Sequence, residues 1–181
     1  MKNLIYKLKY MAAIVACFAV CMNFSACSNS EDEPYGAFNP NDPAVQAILG
    51  SWSNGSMWPD FLWDDQARTT WGGGSRGEGY GFKDDGTFVY SLMGHNQNTN
   101  AYHVHWGNYR VQEDKLFLYN KKADFVDRNN PGASYRNRPT GDQTLHFEVL
   151  PYYSQYSPFT QQLKITNPTL PAGYQLTTFF R

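Results

Sequence analysis

The sequence predicts an all-β protein, built as an antiparallel sandwich or barrel. Three observations indicate this class. Short segments rich in β-branched and aromatic residues follow one another from residue 78 to residue 180, apolar and polar residues alternate within them, and turn-forming residues separate them. No helical segment is long enough for the crossover of a parallel β–α–β unit.

One short helix opens the folded region. Asp42 is suited to the N-cap and Pro43 to the first helical position, while Gly50 ends the helix after about two turns. Seven strands are predicted after it, at residues 78–82, 87–93, 101–111, 115–120, 144–150, 161–166 and 174–180. Asp84-Asp85-Gly86 and Gln112-Glu113-Asp114 are predicted hairpin turns.

Alternation assigns the side chains of strand 101–111 to two faces. Tyr102, Val104 and Trp106 form its apolar face, which we expect to line the interior together with Leu145 and Phe147 from a later strand. The histidines that alternate with these residues are therefore expected to point to solvent.

The N-terminus predicts export and lipid attachment. Lys2, Lys7 and Lys9 precede an apolar run of 12 residues, Met11 to Met22, and Phe24-Ser25-Ala26-Cys27 follows. This order resembles the lipobox of bacterial lipoproteins, in which the thiol is lipidated and the chain is cut just before it. Residues 1–26 are thus a predicted signal peptide and Cys27 the lipidated residue. An ordinary secretory leader is the alternative, and the run is shorter than the roughly 20 residues of a membrane span.

Residues 27–41 are predicted to be an acidic, flexible tether. Within it, Ser30-Glu31-Asp32-Glu33 resembles the export signal that sends lipoproteins of Bacteroidetes to the outer face of the outer membrane. The resemblance implies a lipid-anchored protein exposed at the cell surface, whereas the simpler alternative is a solvated spacer.

Charge and cysteine content restrict the partners. The chain carries 15 basic and 16 acidic residues, and the leader holds three lysines and no acid, which leaves 12 against 16, or −4. Such a chain is a poor candidate for binding nucleic acid or anionic membrane surfaces, so the membrane is expected to be reached through the lipid. Without the leader Cys27 is the one remaining cysteine, so residues 42–181 must fold as one domain without a disulfide.

Several motifs together resemble a known family. Gly50-Ser51-Trp52 follows the short helix, and the segments 81–88 and 107–111 continue the pattern of the lipocalin-like domains common in Bacteroidetes lipoproteins. The resemblance implies an up-and-down barrel of about eight strands that takes a small apolar or amphipathic ligand. It also implies that Arg181 packs across the Trp52 indole and that Gly50, Trp52 and Arg181 are structural residues.

A cluster of aromatic residues provides candidate ligand-binding side chains. Trp52, Trp58, Trp63 and Trp71 fall within 20 residues of one another, in a loop that borders the open mouth of a lipocalin-like barrel. We expect ligand contacts from Trp58, Trp63 and Trp71, and from Tyr102 and Trp106 on strand 101–111. The alternative is that these rings fill the barrel or fold the loop onto it.

No motif predicts catalysis, a cofactor or a metal. His103 and His105 have a spacing that some zinc sites use, and His95 and His146 could add ligands, but the alternation opposes such a site. Neither a Gly-x-Ser-x-Gly elbow nor a phosphate-binding loop occurs.

The sequence thus favours a non-enzymatic, lipid-anchored protein that binds a small apolar or amphipathic ligand. Two alternatives remain, a glycan-binding lipoprotein that uses the Trp-rich loop 52–71 and an accessory subunit that docks on an outer-membrane complex. Barrel interiors share generic apolar linings, so the sequence does not identify the ligand, and it does not determine the oligomeric state.

Overall fold

The computed structural model describes residues 35–55, 57, 59–70, 76–94 and 100–181. Cys27, the predicted signal peptide and the predicted tether up to residue 34 lie outside these ranges. The elements belong to one unit, residues 38–181. They are α1 (Pro43–Ile48), β1 (Gly50–Gly55), α2 (Pro59–Trp63), α3 (Asp65–Thr70), β2 (Gly77–Phe82), β3 (Thr87–Met93), β4 (Ala101–Gln112), β5 (Lys115–Asp127), a 3₁₀ turn (Pro131–Ala133), β6 (Tyr135–Pro139), β7 (Gln143–Pro151), β8 (Gln161–Thr166) and β9 (Leu176–Phe180).

Eight strands close an antiparallel barrel, which confirms the predicted fold class. Their order around the barrel is β1-β2-β3-β4-β5-β7-β8-β9, and β9 returns to β1. The pairing that closes the ring is short, with Ser53 opposite Phe180. Among the described residues, no helix has the length and apolar character needed to cross a bilayer.

The ninth strand, β6, lies beside the ring. The first half of β5 pairs with β7, and its second half pairs with β6, where Phe125 is opposite Tyr135. At the position along β5 where its partner changes from β7 to β6, the Thr140 N–H donates to the Lys121 carbonyl at 2.9 Å. β6 and β7 are therefore one strand interrupted at residues 140–142, which accounts for much of the segment 125–142 that fitted no predicted strand.

The predicted helix start and hairpin turns are present. Asp42 caps α1, because its Oδ1 accepts from the Ala44 N–H at 2.8 Å. Gly86 adopts a φ of +81° in the turn between β2 and β3, and Glu113 adopts +56° in the turn between β4 and β5. Gly86 suits its turn because glycine tolerates positive φ without a steric penalty.

The main core fills the end of the barrel that α1 covers. Val45 and Ile48 of α1 are buried against Trp52 and the inward-facing strand residues. The buried members of this core are Val45, Ile48, Trp52, Tyr80, Phe82, Phe88, Tyr109, Leu116, Leu118, Leu145, Leu163, Ile165 and Phe179.

The predicted facing of β4 is wrong. The strand alternates without interruption, and Tyr109 and Val111 pack against the interior core while Tyr102, Val104 and Trp106 face outward. The pairing shift opposite Gly107 is a bulge in β5, where Asn120 adopts a φ of +51° and one extra residue reverses the facing of that strand, so that Leu118 and Lys121 both line the interior. Leu145 and Phe147 do pack in the interior core, as predicted.

His103 and His105 consequently point into the barrel rather than to solvent. His105 is directly opposite Tyr90, whose ring packs against the interior core. The ring centres of His103 and His105 are 4.3 Å apart. The outer face of β4 is apolar because α2 and α3 cover it.

The helices α2 and α3 lie on the outside of the barrel. Met57, Phe61 and Leu62 pack there on outward-facing residues of β3 and β4, including Val89 and Val104. Only α1 was predicted, and the segment between β1 and β2 was expected to border the mouth. The described part of this segment instead packs on the outer wall of the barrel, where it buries a second apolar cluster.

Candidate functional site

The barrel interior contains a cavity of about 250 Å³ above the main core. Its floor is apolar, and its upper wall carries a lysine, a histidine and two amides. It is lined by Tyr80, Phe88, Tyr90, His105, Leu118, Lys121, Gln143 and Asn167. The cavity therefore presents apolar and polar surface to the same small volume.

Lys121 is the cationic group of this cavity. The residue is only 8% exposed, and its Nζ donates to Gln143 Oε1 at 3.0 Å. Burial lowers the pKa of its ammonium, although the nearby Asp142 acts in the opposite direction. An ammonium has three N–H donors, so Lys121 retains donor capacity beyond the bond to Gln143.

The two histidines are uncharged at neutral pH. Burial lowers the pKa of His105 to about 4, and repulsion by His103 when that ring is protonated and by the Lys121 ammonium acts in the same direction. Burial also lowers the pKa of His103, whose Nε2 lies 2.9 Å from the hydroxyl oxygen of Tyr135. Each neutral ring carries one donor nitrogen and one acceptor nitrogen, so the histidines extend the polar wall without adding charge.

The Glu78 carboxylate lies close to the cavity and accepts a hydrogen bond from one of the residues that line it. The Tyr90 hydroxyl donates to Glu78 Oε2 at 2.8 Å. Burial, together with the charge of Glu78, raises the pKa of Tyr90 well above its usual value. Tyr90 is therefore held as a neutral donor, and its ring position is fixed.

The cavity lining offers binding groups rather than a pair of catalytic carboxylates. No Asp or Glu is among the described residues that line it. Within the described ranges, no three His, Cys, Asp or Glu residues are grouped so that they could hold a metal ion. His146 lies on the outer face, 2.8 Å from Asp114, and His95 lies outside the described residues.

A larger cleft of about 690 Å³ lies on the outer face, between the α2–α3 segment and β3–β5. Trp63 and Trp106 both line it. The Trp63 indole covers Gly81, and its Nε1 donates to Ser51 Oγ at 3.0 Å. Lys83 Nζ lies 4.9 Å from the centre of the same indole.

The structure separates the aromatic residues that the sequence grouped as ligand contacts. Trp63 and Trp106 meet in the outer cleft, whereas Trp58 and Trp71 lie outside the described residues. Tyr102 is 2% exposed and lies beneath α2, with its ring edge-on to Phe61 at 6.2 Å.

Trp52 belongs to the barrel floor rather than to a binding surface. Its Nε1 donates to the Ile48 carbonyl at 2.7 Å, and the Arg181 guanidinium lies over its ring. The neighbouring Gly50 has a φ of +101°, a conformation that side chains disfavour. The β7–β8 loop, residues 152–160, also lies at this end, because the Thr160 N–H donates to the Arg181 carbonyl at 2.9 Å.

The sequence did not reveal the polar wall of the interior cavity. Lys121, Gln143 and Asn167 are far apart in the chain, and only the strand register brings them together. For His105 a signal did exist, because Tyr109 and Val111 are in phase with it and make that face of the strand a second candidate for the interior.

Comparison of the chain with protein-family models, curated proteins and solved structures finds no significant match.

Proposed function

We propose that the chain is a non-enzymatic binding protein that takes a small amphipathic ligand in the interior cavity of the barrel. The observation that supports this proposal is the composition of the cavity wall. Phe88 and Leu118 provide an apolar floor, and Lys121 provides a buried cation above it. Ligand sites commonly combine apolar walls with a few fixed polar groups.

The polar groups favour an amphipathic ligand over a purely apolar one. Covering the Lys121 ammonium with hydrocarbon would remove it from water without a replacement partner, which costs several kcal/mol. A ligand with a carboxylate or another acceptor at one end avoids that cost. The volume of about 250 Å³ is just below the roughly 300–1,000 Å³ of sites for drug-sized ligands, so the ligand is compact.

The proposal includes lipid attachment at Cys27 and a cell-surface location on the outer membrane. Its support is the order of residues in the sequence, in which a basic start, an apolar run and Ser25-Ala26-Cys27 precede the acidic tract. Metabolic labelling with a fatty acid in the native host tests it. Label that persists in a Cys27→Ser variant would exclude this anchor.

Ligand binding is tested by calorimetric titration with octanoate and with octanol. Octanoate is expected to bind, and Lys121→Met is expected to weaken it at least tenfold while octanol binding changes little. Lys164→Met, on the outer face near Glu148, is the matched control and should leave binding unchanged. If neither octanoate nor octanol binds, or if octanoate is consumed, the proposed function is wrong.

A further inference from the structure

We propose that the outer cleft is a second binding site and that it takes an acidic saccharide, meaning a sugar that carries carboxylate or sulfate groups. This site is separate from the interior cavity, because the wall between them is the sheet itself. Val89, Val104 and Trp106 face the cleft, whereas Tyr90 and His105 on the same strands face the interior. Its volume of about 690 Å³ lies within the usual range for ligand sites.

The first support for a saccharide is a pair of partly exposed indoles held in place. The absence of a side chain at Gly81 makes room for Trp63, since a Cβ there would lie 2.1 Å from Trp63 Cζ2. The bond from Trp63 Nε1 to Ser51 fixes the orientation of that ring. Trp106 projects from β4 into the same cleft. Flat apolar rings of this kind pack against the C–H faces of pyranose sugars.

The second support is the unpaired positive charge on lysine side chains that line the cleft. Its two carboxylates are already paired, because Asp124 lies 2.6 Å from Arg136 Nη1 and Asp65 lies 3.4 Å from Arg68 Nη2. By contrast, Lys83 and Lys122 are exposed, and within the described part of the chain neither has a carboxylate within ion-pair distance. The free charge facing the cleft is therefore positive, which favours an anionic ligand.

The polar side chains between the indoles and the lysines can form hydrogen bonds with the hydroxyl groups of a sugar. The Asn108 and Asn120 amides line the cleft and contact each other at a long 3.4 Å, so sugar hydroxyls can compete for them. A hydrocarbon ligand would satisfy none of these groups, whereas a polyhydroxylated one satisfies several.

A single-stranded nucleic acid also combines stacking bases with negative charge. It is disfavoured because the chain has a formal charge of −1 before leader removal and the cleft supplies only two unpaired lysines. Nucleic-acid binding normally uses an extended basic surface.

Titration of the full chain with trigalacturonate and with a heparin tetrasaccharide, followed by tryptophan fluorescence, tests the proposal. At least one of the two saccharides is expected to bind saturably. A double variant, Lys83→Gln and Lys122→Gln, is expected to bind that saccharide at least tenfold more weakly. Trp106→Ala is expected to abolish the signal, with circular dichroism to check that this variant folds. For trigalacturonate, the fully methyl-esterified trisaccharide is the uncharged counterpart and should bind at least tenfold more weakly.

The controls separate this site from the interior cavity. Lys121→Met in the interior and Lys164→Gln on a distant strand should leave saccharide binding unchanged. The proposal is overturned if neither acidic saccharide binds, if the double lysine variant binds normally, or if a ten-residue thymidine oligonucleotide binds more tightly than both sugars. Loss of octanoate binding in the Lys121 variant has no bearing on it.

Discussion

Arg181 lies over Trp52 with its guanidinium carbon 4.1 Å from the centre of the indole ring. The same guanidinium donates to the Leu49 carbonyl, to the Ala47 carbonyl at 3.0 Å and to Gln161 Oε1 at 2.6 Å. Carbonyls at the C-terminal end of a helix lack intrahelical partners and carry a partial negative charge. Arg181 therefore ties the last residue of the chain to the end of α1 and to the first strand.

Replacing Arg181 by alanine is expected to lower the free energy of unfolding by about 2 kcal/mol, because both the cation–π contact and charged hydrogen bonds are lost. For a domain of this size the melting temperature should fall by about 4–8 °C. Arg138→Ala is the matched control, since the exposed Arg138 lies 3.8 Å over the Tyr135 ring on β6. If Arg181→Ala and the wild type have equal melting temperatures, the contact between Arg181 and Trp52 does not stabilise the fold.

Gly81→Ala is expected to destabilise the protein by about 1–3 kcal/mol, because the new Cβ would overlap the Trp63 indole and displace it from the barrel wall. The emission maximum of tryptophan should shift to longer wavelength as Trp63 becomes more exposed. Urea unfolding and fluorescence spectra measure both effects. Gly141→Ala, which introduces a Cβ with no atom within 4 Å, should leave both unchanged or add slight stability.

Stability is expected to fall as the pH drops from about 6.5 to about 4. The folded-state pKa of His105 is lowered to about 4, against about 6.5 in an unfolded chain, so within this window the unfolded state binds the additional proton. The lowered pKa of His103 acts in the same direction. Urea unfolding at pH 7.5 and pH 5.0 should show the loss for the wild type.

His105→Gln should reduce this pH dependence, because it removes the group with the lowered pKa. His146→Gln on the outer face of β7 serves as its control and should keep the wild-type dependence. A His105→Gln variant with the full wild-type slope would mean that His105 is accessible to protons in the folded state.

Asp124→Ala is expected to cost about 2 kcal/mol, because two donors on β6 would lose their acceptor. Asp124 Oδ2 lies 2.6 Å from Arg136 Nη1, and its Oδ1 accepts from the Asn137 N–H at 2.6 Å. Hydrogen exchange of the β6 amides should accelerate in this variant. Asp114→Ala breaks an exposed pair with His146 and should cost clearly less than Asp124→Ala, so a similar loss in both variants would contradict the structural role of Asp124.

Much of the fold was predictable because it depends on local patterns. The N-cap at Asp42, the glycine turn at Gly86 and most strand positions follow from residue type and period alone. The facing of β4 was predicted wrongly because both of its faces carry apolar residues: Tyr102, Val104 and Trp106 pack in the outer cluster, while Tyr109 and Val111 pack in the interior.

The outer helices and the end of β5 depend on tertiary contacts. Helices of five and six residues, α2 and α3, are too short to form from propensity alone, and packing of Phe61 and Leu62 on the barrel stabilises them. β5 continues to Asp127, beyond the predicted end at residue 120, and Asn120 adopts a φ of +51° where the pairing with β4 shifts. Both candidate sites lie next to these features, which is why only Trp63 and Trp106 among their lining residues were predicted as ligand contacts.

The interruption between β6 and β7 leaves one sheet edge uncovered. In the described structure β6 pairs with β5 on one side only, and residues 136–139 of this strand are exposed. A free edge can recruit strands from other molecules and start aggregation, and natural proteins counter this with charge and proline on the edge. Arg136, Arg138 and Pro139 give β6 both features, so the molecule can keep an unpaired strand at its rim and still resist edge-to-edge association.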